Sequence, residues 1–484
     1  MSEGASIRYA EVAKGYFEKR SLRRYAGFWS LWALGVGAVI SGDFSGWNLG
    51  LAPGGFGGLL VAALLITAMY LGLIFSLAEM SAAMPHTGGA YSFARSAMGP
   101  WGGFVTGLAE NMEYVLTPAV IVFFMSAYLG AIFGTAPEFQ PLWWIGAYAL
   151  FVGLNIAGVE LSFRVSVAVT LAALGVLIFF WVSAIPHFSL DTALNIPPTE
   201  GNGPWLPFGW AGAFAALPFA VWFYLAIEQL PLAAEEVHEP QAQLPKGLIF
   251  GILTLIVCAF ATLFLNAGVA PGSMGLKDSA EPLLDGFRTI YGEEAGKILA
   301  VFAVLGLVAS FHTITFAYGR QIYSLSRAGY FPTVLSLTHG RRQTPHVALV
   351  TGGALGLAVL LATWSVAGAD RGGAFIGGTL LNMAVFGAMI SYLMQALSFI
   401  FLRLRLPRMA RPYVSPLGLP GAVATLVVAV TTLGFQLSDS AYREGVVGAV
   451  VWYALGILYF AVIGRTRLVR SPEEEFALRA RDGG

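Results

Sequence analysis

The sequence predicts an all-α polytopic membrane protein of about twelve transmembrane helices. They are expected to form a 5+5 inverted repeat with broken helices 1 and 6, followed by two extra C-terminal helices. Three observations lead there: an apolar composition, twelve stretches of bilayer length, and a matched pair of interruptions five spans apart. Of 484 residues, 57% are apolar and 11% charged, whereas soluble domains carry about 25% charged residues. The 27 basic and 27 acidic side chains cancel, which leaves no global attraction for nucleic acid. A single cysteine, Cys258, excludes an internal disulfide framework and a zinc site built on cysteine pairs.

A bilayer core takes about 20 predominantly apolar residues per helix. Candidate spans lie at 28–52, 57–82, 101–133, 141–159, 162–185, 208–232, 247–270, 297–322, 346–367, 373–402, 416–437 and 445–464. This organisation gives an N-terminal segment (1–27), a first repeat (28–185), an external loop (186–207), a second repeat (208–402), two additional helices (403–464) and a charged tail (465–484). With the N-terminus inside, 22 of the 27 basic residues fall on the cytoplasmic side, so the positive-inside rule places both termini in the cytoplasm. The first 27 residues run straight into a long span with no small-residue cleavage site, which argues against a removable signal peptide. Arginine outnumbers lysine 22 to 5, in keeping with a GC-rich bacterial genome and an inner-membrane location.

The interruptions occupy the first and sixth spans. The first contains Gly35, Gly37, Ser41-Gly42-Asp43-Phe44 and Gly46; the sixth contains Pro218 and ends on Glu228. Unwound backbone is tolerated in lipid only where it is buried or lines a cavity. In transporters built from inverted repeats, such paired breaks hold the substrate at the bilayer midplane.

The ionisable groups at depth are almost all acidic: Asp43, Glu79, Glu110, Glu113 and Glu228, with His312 the one basic candidate. Intramembrane ionisable residues are costly and mark function by default. Carboxylates without a cationic partner await a proton or a cation, so the set predicts a cationic substrate, a proton pathway, or both. Glu79, near a span end, reads instead as a loop tie. Glu110 and Glu113 share one helical face and either bind a cation or turn toward a wet vestibule. Asp43 either contacts substrate or caps a half-helix, and Glu228 either binds or gates. His312 reads as a hydrogen-bonded core residue. Trp222 and Tyr224, inside a break, stand out from the other aromatics as walls for an ammonium group.

Several separated motifs resemble the amino acid–polyamine–organocation transporters. These are Ala78-Glu79-Met80-Ser81 through Pro85 and Thr87-Gly88-Gly89-Ala90-Tyr91, Ala234-Glu235-Glu236-Val237, and Arg320 through Ser326-Arg327, Gly329-Tyr330-Phe331-Pro332 and Thr344-Pro345. The resemblance implies a LeuT-like fold, alternating access and no enzymatic activity. It implies substrate contacts at Ser41, Gly42, Asp43, Phe44, Glu110, Glu113, Trp222 and Tyr224, with Trp222 and Glu228 gating or coupling protons. Amino-acid members carry Gly-Ser-Gly at the first break; here Ser41-Gly42-Asp43 stands there. A carboxylate at that point repels a substrate carboxylate and attracts an amine. Ala226-Ile227 replaces the family's usual Gly-Phe after the sixth-span break.

The string 41–48 together with Glu110-Asn111-Met112-Glu113-Tyr114 is similar to ethanolamine permeases. The expected partner is therefore a small cationic amine, ethanolamine first and choline next, with the lipid bilayer around the chain and no nucleic acid. No cofactor is expected beyond a coupling proton. The rival within transport is an amino-acid permease or exchanger. An intramembrane hydrolase is disfavoured because neither a Gly-x-Gly-Asp nor a His-Glu-x-x-His pattern occurs. A ligand-binding sensor is disfavoured because the tail is too short for an output domain.

Overall fold

A computed structural model describes residues 7–367, 372–438 and 440–482. The first span is split into α1 (Phe28–Val39) and α2 (Ser41–Phe44), followed by a 3-10 turn at Trp47–Gly50. Then come α3 (Leu51–Ala83), α4 (Gly89–Phe133), α5 (Gln140–Ala157) and α6 (Val159–Ala184). A short α7 (Leu190–Ala193) leads to the sixth span, which is split into α8 (Gly209–Ala215), α9 (Leu217–Val221) and a 3-10 stretch at Ile227–Glu236. The remainder is α10 (Pro240–Ala267), α11 (Gly272–Leu276), α12 (Pro282–Tyr291), α13 (Glu293–Arg327), α14 (His346–Ala367), α15 (Gly372–Arg405), α16 (Gly418–Ser438), α17 (Arg443–Val462) and α18 (Pro472–Asp482). Among the described residues nine helices are long and apolar enough to cross a membrane, beside the broken Phe28–Phe44 and Gly209–Val221. With α5 they make the twelve expected spans.

The helices form an inner group and an outer group. In α4, 72% of the apolar window is buried, and in α15, 67%; in α17 only 11% is. α4 packs between α13 and α15, while α1 lies against α6, α10 and α13. α5, α6, α14, α16 and α17 turn apolar side chains outward, among them Leu150, Leu171, Val427 and Leu455, as lipid-facing helices must.

Two elements differ from the sequence expectation. α4 begins at Gly89 rather than 101 and kinks at Gly99, where φ is 84° ahead of Pro100, so a ten-residue segment precedes the span. The sixth span is broken, as expected, into two short helices, a bend and a 3-10 run. The tail is not a free charged segment. Tyr9 pairs with Leu468, and Glu474 is fully buried against Arg95 at 2.8 Å, with hydroxyls of Tyr9 at 2.8 Å and Tyr330 at 2.7 Å donating to it. The two termini therefore meet on one face, here named the terminal face.

Candidate substrate and proton site

The first break is held open by one side chain. The Ser310 hydroxyl of α13 accepts from the Ser41 backbone N–H at 2.9 Å and donates to the Gly37 carbonyl at 2.7 Å. It thus satisfies one orphan donor and one orphan acceptor left by the interruption. The Ser41 amide is consequently engaged by protein. On the far side of the break, Ser45 Oγ donates to the Ala280 carbonyl at 3.0 Å, and Asn48 Nδ2 donates to the carbonyls of Leu276 and Ser279 at 2.6 and 2.9 Å. The segment around α11 and α12 is tied over the break in this way.

The two breaks touch directly. A Cβ on Gly42 would lie 2.4 Å from the Trp222 carbonyl oxygen, and one on Gly46 would lie 2.7 Å from the Trp222 indole nitrogen. Gly46 also has φ 95°, a conformation that glycine adopts freely. Trp222 donates its indole N–H to the Ser45 carbonyl at 3.0 Å. Phe44 packs its ring onto Gly306 of α13, and its carbonyl accepts from Tyr128 at 2.8 Å. After the second break Ala226 sits at φ 81°, so the chain bends there through a left-handed residue that bears a Cβ.

The acidic residues resolve into two stations. Asp43 is 1% exposed, and neither of its oxygens has a hydrogen-bond partner. It lies beside Thr262, without closing a hydrogen bond to it, and near Cys258 and Tyr224. At the second station, Glu110, Glu113 and Glu228 lie within electrostatic reach of one another. Gln321 Nε2 donates to Glu110 at 2.7 Å, Tyr392 to Glu113 Oε1 at 3.3 Å and Tyr114 to Glu228 Oε1 at 3.2 Å. The remaining oxygens, Glu113 Oε2 and Glu228 Oε2, have no donor, although the two carboxyls are within hydrogen-bonding reach of each other. Two facing acceptors can be reconciled only by a proton or a cation between them.

An aromatic row joins the stations. The Tyr224 and Tyr70 ring centroids are 5.2 Å apart, and those of Tyr70 and Tyr392 are 5.4 Å apart. The Tyr70 and Tyr392 hydroxyls are bonded at 2.9 Å, and Tyr224 bonds Thr67 at 2.7 Å. The structure therefore brings together Glu110, Glu113 and Glu228, and separately Ser41, Gly42, Phe44 and Trp222 at the breaks. It places Asp43 with α10 and Tyr224 rather than against the glutamates. Sequence reasoning missed Tyr70, Tyr114, Tyr392, Gln321, Ser310 and Thr262. Of these only Tyr114, adjacent to Glu113, carries a positional signal.

Three further buried polar side chains are tied into protein contacts. Glu79 accepts hydrogen bonds from Arg403 at 2.8 Å and from the Ser415 N–H at 2.8 Å and is ion-paired with Arg411 at 3.0 Å, and so ties down the loop after α15. His312 is enclosed by Ser162 and Asn155, each at 3.2 Å from a ring nitrogen. Arg320 pairs with Glu236 at 2.9 Å, both fully buried, over the Phe316 ring at 3.6 Å.

The sequence profile described as amino acid permease matches residues 27–463. The chain belongs to the amino acid permease family. This permease is 27% identical over 453 residues to an uncharacterised transporter of Rhizobium meliloti, covering 90% of this chain and 92% of that one. It is 25% identical to a branched-chain amino acid permease of Bacillus subtilis, covering 92% and 94%. It is 22% identical to a methylthioribose transporter of the same organism, covering 94% and 96%. Crystal structures of a manganese transporter of Eremococcus coleocola superpose with TM-scores of 0.54 and 0.55 at 12% and 13% identity, covering 99% of this chain and 98% of the other. At that identity the likeness concerns the fold alone. The permease is a multi-pass membrane transporter.

Proposed function

We propose that this permease imports a small organic amine by alternating access, with ethanolamine the first candidate and choline its nearest competitor. One observation carries the reading: Asp43, Glu110, Glu113 and Glu228 are buried in the transmembrane region, and among the described residues none of them has an ion-pair partner. Burying an unpaired ionised carboxylate costs several kcal/mol, so such a set persists only where cations complete it. The engagement of the Ser41 amide by Ser310 supports the same reading, because it removes a donor that a substrate carboxylate would need.

In this reading the terminal face is cytoplasmic, the membrane is a bacterial inner membrane, and the opposite face admits the amine. Asp43 receives the ammonium between the two breaks. Trp222, Phe44 and Tyr224 close around it, and the paired Glu113 and Glu228 carry the coupling proton with Glu110 beside them. Rocking of the first two helices of each repeat then opens the terminal face.

The test is uptake of labelled ethanolamine into proteoliposomes, with and without an imposed pH gradient and with choline, alanine, arginine and putrescine as competitors. Saturable uptake blocked by amino alcohols and reduced to background by Asp43→Asn is expected. Glu228→Gln should retain amine binding while losing the response to the gradient. Uptake of alanine in place of ethanolamine, undisturbed by Asp43→Asn, would favour the amino-acid reading that the family name suggests.

A further inference from the structure

Away from the breaks, a cavity of about 330 Å³ opens on the terminal face where α5 turns into α6. Four arginines from three separate parts of the chain line it: Arg23 of the N-terminal segment, Arg164 of α6, and Arg341 and Arg342 of the connection before α14. The floor is the turn at Gly158 and the first residues of α6. Gly158 has φ 153°, and no side chain caps the helix, so the first N–H groups of a 26-residue helix face the same space with their partial positive charge. Glu160 is the only acid in the lining, and it is held by Arg164 at 2.6 Å. Arg164 is further fixed by Tyr25, its Nε donating to that hydroxyl at 3.2 Å. No ion pair engages Arg23, Arg341 or Arg342 among the described residues.

Excess arginine on one face of a membrane protein orients the chain, and for that purpose it can lie anywhere along the loops. Orientation alone does not require residues more than 300 positions apart to converge on one concave site around a helix N-terminus. The site also borders lipid. Leu161, which lines it, is 43% exposed, and α6 has only 28% of its apolar window buried. A ligand there meets fixed positive charge at its head and an apolar helix surface behind it. Arginine forks and helix N-termini both select phosphate oxygens.

We propose that this cavity binds the phosphate headgroup of an anionic phospholipid, with the acyl chains lying along α5 and α6. Arg341 and Arg342 supply the unpaired charge, Arg23 closes the rim, and Arg164 is held in place by Glu160 and Tyr25. The proposal is independent of the substrate that the permease carries.

The experiment uses the purified full chain in detergent, incubated with equal amounts of phosphatidylglycerol and phosphatidylcholine and read by native mass spectrometry. Wild type is expected to retain phosphatidylglycerol about tenfold over phosphatidylcholine. The double substitution Arg341→Gln/Arg342→Gln should bring that ratio near one, and Arg23→Gln alone should lower it part of the way. Lys246→Gln/Arg408→Gln, which removes two exposed charges elsewhere, should leave it unchanged. The thermal midpoint of each variant in detergent reports folding separately. A wild-type ratio near one, or an equal loss in the Lys246→Gln/Arg408→Gln variant, overturns the proposal. So does release of the lipid by millimolar inorganic phosphate, which would make the cavity a free-anion site.

Discussion

Gly42 and Gly46 decide how closely the two interrupted helices approach. The would-be Cβ of Gly42 meets backbone rather than a flexible side chain, so Gly42→Ala must separate the breaks. Small insertions into a packed interior cost about 1–3 kcal/mol, and here the strain falls on the elements proposed to hold substrate. Gly42→Ala is expected to lower uptake at least tenfold at normal expression. Gly146→Ala, where nothing lies within 4 Å, should leave uptake unchanged; both are read in the same proteoliposome assay. At this scale the charges were legible and their partners were not. Asp43, Glu110, Glu113 and Glu228 announce themselves because carboxylates are rare at membrane depth. Tyr70, Tyr114 and Tyr392 do not, because any of 18 tyrosines is more simply read as core or interface. The division into two stations was also hidden. Asp43 and the glutamates lie on α2, α4 and the 227–236 stretch, and only the packing of α10 against α1 and α2 decides which way Asp43 points.

α18 shows how an element can carry an energetic role that its composition conceals. A charged segment of eleven residues reads as solvated, and its partner Arg95 is 379 positions away. Removing one member of a buried pair costs about 3–5 kcal/mol because the other is left uncompensated. Glu474→Ala should therefore release α18 from α4 and raise amide hydrogen exchange across residues 472–482 by two orders of magnitude or more. Exchange in α16, which does not depend on this contact, should stay as in wild type. Unchanged exchange over 472–482 would show that the tail is held by its apolar contacts instead. The breaks, by contrast, were readable as elements, since clustered Gly, or Pro, beside a carboxylate in an apolar stretch works against a continuous helix. The kink at Gly99 escaped because a Gly-Pro step at the start of an apolar run also reads as a simple helix start.

Taken as a whole, the molecule is closed more heavily on one side than on the other. The terminal face is bolted by Arg320–Glu236, Arg327–Glu235 and Arg95–Glu474. The opposite face keeps a vestibule of about 330 Å³, lined by Leu49, Phe219, Lys277, Thr379, Asn382 and Glu444, above the tied segment that covers the first break. Burial, with Asp285 adding to it, pushes the Glu281 carboxyl in that segment up to about 7, against the pull of Arg288. In a Cys258→Ser background, Thr379→Cys should react with a membrane-impermeant maleimide from the vestibule side. Ser326→Cys, fully buried on α13, should stay unlabelled from either side until Arg320→Ala cuts a bolt. Equal labelling at both positions would contradict the asymmetry.

One consequence follows from Cys258, the sole thiol of the chain, lying within electrostatic reach of Asp43. Nature has placed a single vibrational reporter at the more isolated carboxylate. The S–H stretching band falls in a window of the infrared spectrum that is otherwise empty of protein absorption, and its frequency follows the local electric field. Ionisation of Asp43, or arrival of a cation against it, should move that band in the unmodified protein, with no label to disturb the packing of α10.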